Sequence, residues 1–112
     1  MKSTTKTANW SYFGDTVLCT PAELRELFGT PAFDENLGDG NTNIEWHLED
    51  SRGGSIRLYD WKERRRLAES EPVNWHLGAT SEEQSTSALE EIAELLLKLR
   101  CGPVLDKIRI TR

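Results

Sequence analysis

Apolar and polar residues change their spacing several times along the chain, and each change marks an element. Thr20-Pro21-Ala22-Glu23 has the form of a helix start: Thr20 caps, Pro21 suits the first helical position, and Glu23 lies where a capping box closes. Leu24, Leu27 and Phe28 then fall at i, i+3 and i+4 before Gly29 and Pro31 stop the helix. A helix of two turns is stable only when docked, so these three side chains are expected in the core. Residues 31–42 are rich in Gly, Pro, acids and amides and predict a loop, with Phe33 and Leu37 pinning it to the body.

In residues 43–49 the period becomes two, with Ile44, Trp46 and Leu48 alternating with Glu45, His47 and Glu49. The turn cluster Asp50-Ser51-Arg52-Gly53-Gly54 follows, and Ile56 and Leu58 resume the alternation through Trp61. The two runs predict a hairpin in which Leu48 faces Ile56 and Trp46 faces Leu58, placing all even positions on one side of the sheet. Residues 73–79 alternate again, with Val73, Trp75 and Leu77 inward and Asn74 and His76 outward. Trp46 and Trp75 therefore share the inward parity and are expected as core anchors.

Ser81, followed by Glu82, Glu83 and Gln84, reads as the start of a second helix whose apolar stripe comprises Ala88, Leu89, Ile92, Leu95, Leu96 and Leu99. Gly102-Pro103 is the expected stop, and the even spacing of Val104, Ile108 and Ile110 predicts a last strand at a sheet edge. With residues 10–18 as an N-terminal strand, the order gives an α+β two-layer sandwich: a mainly antiparallel sheet with a short and a long helix packed on one face. Residues 1–9, polar and rich in Lys, Ser and Thr, are expected as a disordered leader, and residues 10–112 as a single domain.

Composition narrows the function classes. Apolar residues make up 37% of 112 residues, so the core is real but thin. Net charge is −5, with four basic and nine acidic side chains in residues 1–56 against ten of each in residues 57–112. An acidic domain lacks the field of a general nucleic-acid binder, so direct nucleic-acid binding is not expected. The basic concentration is Lys62, Arg64, Arg65 and Arg66, read as a solvated strand end or turn. The apolar runs are far too short for a membrane span, and no signal-peptide pattern opens the chain.

The parts of several chemistries are missing. Cys19 and Cys101 lack C-x-x-C spacing and read as thiols, with a disulfide between them as the lesser alternative. His47 and His76 on one face lack a marked third ligand, so no metal and no cofactor are expected. No nucleophile elbow, Walker loop or dinucleotide fingerprint occurs, and no catalytic residue is assigned. What stands out is the outer sheet face, opposite the core positions, where Tyr59, Trp61, His47 and His76 with Arg57 combine stacking planes with hydrogen-bonding tips. Such a set suits a protein hot spot or a stacked base, unless the N-terminal segment around Trp10, Tyr12 and Phe13 covers it.

The strings Leu27-Phe28-Gly29-Thr30-Pro31, Glu45-Trp46, Tyr59-Asp60-Trp61-Lys62 and Trp75-His76-Leu77-Gly78 resemble a group of small bacteriophage proteins. That group shares a Phe-Gly-x-Pro turn, a Y-D-W-K strand end and a W-H-[IL]-G strand. The resemblance covers roughly residues 16–100, and the Arg-rich stretch after Lys62 and the long C-terminal helix depart from it. It implies a viral accessory protein acting in the host cytoplasm. The expected function is non-enzymatic binding to a host protein, to inhibit a defence or metabolic factor. The alternative is a small-ligand or nucleotide binder using the same aromatics and nearby arginines.

Overall fold

The computed structural model describes the backbone of residues 1–110 and the side chains of residues 1–102. Its elements are β1 (Lys2–Ser3), β2 (Ser11–Cys19), α1 (Pro21–Phe28), β3 (Phe33–Asp34), β4 (Ile44–Glu49), β5 (Ser55–Asp60), β6 (Val73–Ala79) and α2 (Glu82–Ile110). The strands form one six-stranded antiparallel sheet in the order β1-β4-β5-β6-β2, with β3 beside β1 on the outer edge of β4. Both helices pack on one face, which makes the fold the expected α+β arrangement of two layers.

The hairpin register follows from the alternation: Trp46 pairs with Leu58 and Leu48 with Ile56, while Leu58 pairs with Leu77 across β5 and β6. The even positions of the two strands, Ile44, Trp46, Leu48, Ile56 and Leu58, are all buried on the helical side. Trp46 and Trp75, both fully buried, meet edge to face with ring centroids 5.5 Å apart. Each indole N–H is satisfied, Trp46 by the carbonyl of Gly29 at 3.1 Å and Trp75 by that of Cys19 at 2.9 Å. The two indoles thus tie the ends of β2 and α1 to the sheet.

The capping box of α1 forms as its sequence requires: Glu23 N donates to Thr20 Oγ1 at 3.1 Å, and Thr20 N to Glu23 Oε1 at 3.0 Å. Gly29 ends the helix at φ 76°, in the left-handed region that a side chain disfavours. Arg100 on α2 donates twice to Glu23, at 2.6 and 3.0 Å, and these bonds hold the Glu23 carboxyl down at about 2. Ser81 caps α2 through Gln84 N, and the Gln84 side chain reaches back to Thr80 N at 2.7 Å.

Three expectations need correction. The last strand does not form, because α2 continues through Gly102 and Pro103 to Ile110. Val104 and Ile108 are four apart, a spacing that a helix satisfies, and Asp106 interrupts the alternation a strand would need. Phe33 and Leu37 do not pin the loop of residues 31–42, since Leu37 is 60% exposed and Phe33 38%. Polar side chains pin it instead. Asn43 and Asp60 are buried together, and Asp60 accepts from Asn43 N, Asn43 Nδ2 and Ile44 N at 2.8 to 2.9 Å. Asn36 exchanges two bonds with the backbone of Leu67, at 2.7 and 2.8 Å, closing the loop onto residues 61–72. Lastly, residues 1–9, expected as a leader, run along β4: Lys2 pairs with Glu49, Ser3 with Leu48, and Thr4 N donates to the His47 carbonyl. These bonds and those of β3 satisfy backbone groups that a bare edge would leave to solvent.

Candidate binding face

The sheet face opposite the helices carries the odd positions of β4 and β5 and the outward residues of β6. Cross-strand pairing sets Glu45 against Tyr59, His47 against Arg57 and Tyr59 against His76. All five residues expected at the site, His47, Arg57, Tyr59, Trp61 and His76, are therefore brought to one face. They are joined there by Glu45, which the alternation placed on the same side, and by Trp10 and Tyr12 of the N-terminal segment.

The centre of the face is Arg57. Its Nη2 donates to Glu45 Oε1 at 2.7 Å, and its guanidinium carbon lies 3.9 Å from the Tyr59 ring centroid and 6.0 Å from that of Trp10. Arg57 Nε is buried without a hydrogen-bond acceptor, and the negative face of the Tyr59 ring compensates part of that loss. Glu45 Oε2 lies 2.5 Å from His47 Nε2. Since Arg57 engages the same carboxylate as an acceptor, Nε2 carries the proton, which fixes the His47 ring.

Around this centre the rings stack in sequence. Trp10 lies against His47 at 4.8 Å between centroids, Tyr12 stacks on His76 at 4.3 Å, and Tyr59 meets His76 at 5.5 Å and Trp61 at 6.1 Å. The approach of Trp10 depends on Gly78, because a Cβ there would come within 3.1 Å of the Trp10 Cβ. The Trp10 indole N–H donates to the Ser55 carbonyl at 3.2 Å, so the N-terminal segment is bonded down over this part of the face. Burial lowers the affinity of His76 for a proton and raises the Tyr59 hydroxyl above its usual range.

The face is consequently half covered. Tyr59, expected outward and in contact with solvent or a partner, is 7% exposed, buried by Arg57, His76 and the rings around it. This corrects the reading of Tyr59 as a free surface aromatic: outward parity fixes the side of the sheet but not what lies above it. Trp61 remains 42% exposed and Tyr12 45%, while His47, His76 and Arg57 are half-buried. Trp10 and Tyr12, named from the sequence as a possible cover, do lie on this face, Trp10 just before β2 and Tyr12 within it.

Cys19 is buried at the far end of β2, where burial above all pushes its thiol up to about 12, so it is not a thiolate at neutral pH. Both cysteines are free. Among the described residues no three His, Cys, Asp or Glu side chains are grouped to hold a metal ion, and no helix is long and apolar enough to cross a membrane. An open concavity of about 790 Å³ lies along the outer edge of β4 between Lys2, Thr4, Thr30 and Glu49, and meets the aromatic set only at His47. Comparison with protein-family models, with curated proteins and with solved structures finds no match.

Proposed function

We propose that this chain is a phage-type accessory protein that acts in the host cytoplasm by non-enzymatic binding of a host protein, inhibiting a defence or metabolic factor. The observation that carries the reading is the half-covered aromatic face, where exposed Trp61 and Tyr12 rise from a rigid bed of Tyr59, Arg57 and His76. Aromatic anchors on such a bed, next to a desolvated arginine, are the composition of a protein hot spot. The exposure favours a protein over a small ligand, because small-molecule sites enclose their ligand, whereas Tyr12 and Trp61 stand open to solvent. The phage assignment draws on the Y-D-W-K and W-H-L-G strings at residues 59–62 and 75–78.

The test is affinity capture from a bacterial lysate with the wild-type chain and with a Tyr12→Ser/Trp61→Ser variant as paired baits. A stoichiometric protein retained by the wild type and lost by the variant supports the reading. Equal retention by both baits, or a bound small molecule released on denaturation with no protein partner, contradicts it.

A further inference from the structure

Beside the aromatic face, residues 61–67 leave β5 and form a loop whose backbone is held against residues 36–43. Lys62 N donates to the Asn41 carbonyl at 2.8 Å, Asn43 Nδ2 to the Arg65 carbonyl at 3.0 Å, and Leu67 is buried and bonded to Asn36. Gly38 touches this loop so closely that a Cβ there would lie 2.7 Å from the Arg65 Cα. Within this frame Lys62 and Arg64 adopt φ of 55° and 52°. A left-handed backbone is disfavoured for an L-residue with a long side chain, and a turn that needs only to reverse the chain takes Gly or Asn there. Here the strained positions hold cations.

Charge pairing separates these cations from most of the others. Among the described residues, Lys2, Lys6, Arg25, Arg57, Arg65, Lys98 and Arg100 each have a carboxylate within ion-pair distance. Lys62, Arg64 and Arg66 are exposed and have none, in a chain of net charge −5. Arg52, in the turn between β4 and β5, is exposed and unpaired as well but stands alone, whereas these three are clustered. Arg64 reaches only the Asn41 side-chain carbonyl, at 3.5 Å, and Lys62 lies 5.4 Å from the ring of exposed Trp61. A fold with surplus carboxylates has left these three cations unneutralised on strained, tightly anchored backbone next to its most exposed tryptophan. Strain that persists because its surroundings enforce it is a mark of a functional segment.

We infer that this loop is the electrostatic half of the binding surface and receives an acidic polypeptide segment of the partner, its carboxylates on Lys62, Arg64 and Arg66 and an apolar or aromatic side chain on Trp61. An acidic segment fits better than a nucleic acid. The cationic stretch is three side chains long in a chain of net charge −5, which suits a few carboxylates and falls short of the continuous basic track that a phosphate backbone requires. The inference deepens the reading of the aromatic face and rests on it for Trp61 alone.

The experiment titrates the full chain into fluorescein-labelled peptides of alternating Glu and Ser and of alternating Glu and Tyr, with a thymidine oligonucleotide of equal charge alongside, read by anisotropy. The loop variant is Lys62→Asn/Arg64→Asn/Arg66→Gln, since Asn accepts the left-handed backbone and keeps the fold. Both peptides are expected to bind, to be released by high salt, and to bind the loop variant about tenfold or more weakly. Failure of both peptides to bind, or equal binding by the loop variant, overturns the inference while leaving the aromatic face untouched. Binding of the Glu-Ser peptide with no gain from tyrosine sustains the loop and counts against the face. Tighter, loop-dependent binding of the oligonucleotide overturns the acidic-polypeptide assignment.

Discussion

Tyr59 and Trp61 lie two residues apart on the same side of the sheet, yet their removal should have opposite consequences. Tyr59 is 7% exposed, with the Arg57 guanidinium 3.9 Å from its ring centroid and His76 and Trp61 against its sides. Fully burying an aromatic ring removes about 150–250 Å² from water, worth roughly 4–6 kcal/mol at about 25 cal/mol per Å². Exposed neighbours such as Tyr12 can settle into the space left behind, so Tyr59→Ser should cost nearer about 3 kcal/mol. Trp61 is 42% exposed and its cation contact with Lys62 is in water, so Trp61→Ser should change stability by about 1 kcal/mol or less. Urea unfolding followed by far-ultraviolet circular dichroism separates the two, because about 3 kcal/mol lowers the midpoint by about 2 M in a domain of this size. Equal midpoints for the two variants would refute the layered description of the face.

Other consequences are as direct. Trp46→Ala or Trp75→Ala should cost about 3–5 kcal/mol, since each removes a fully buried indole and its bond to a backbone carbonyl; wild-type-like melting of either would show the faces to be reversed. Asn43→Leu should leave Asp60 buried with one partner fewer and free the loop of residues 36–43, giving a loss of about 2 kcal/mol or more in thermal denaturation. Burial depresses the proton affinity of His76 in the fold, so the unfolded chain binds a proton that the folded chain resists. Stability is then fully present above about pH 6.5 and falls as the solution is acidified below it. In His76→Gln that part of the pH dependence should disappear, which denaturation midpoints across pH would reveal.

The sheet was legible because its strands are half-buried: Ile44, Trp46, Leu48, Ile56 and Leu58 alternate without a break, and one register puts all of them on the helical side. The capping box at Thr20 and Glu23 was legible for a similar reason, since both partners lie within four residues of each other. What the sequence hides are bonds between residues far apart in it. Asn43 with Asp60 and Asn36 with Leu67 use amides that look like ordinary loop residues, so the loop seemed to need Phe33 and Leu37 as anchors. The end of α2 was ambiguous because apolar residues four apart satisfy a helix and a strand alike. The burial of Tyr59 was left open for another reason: parity sets the side of the sheet, whereas the ring is closed in by Arg57, His76 and Trp61, whose packing over it the alternation does not record.

The claim that the aromatic face is the binding surface is tested most directly by the four indole N–H signals of the ¹⁵N-labelled chain in nuclear magnetic resonance, with and without the captured partner. Trp46 and Trp75 donate to backbone carbonyls inside the core and serve as internal controls, whereas Trp61 is exposed and Trp10 lies across the face. Binding should shift or broaden the Trp61 and Trp10 signals and leave those of Trp46 and Trp75 in place. A complex that forms with the Trp61 and Trp10 signals unmoved would place the partner elsewhere on the molecule and contradict the account.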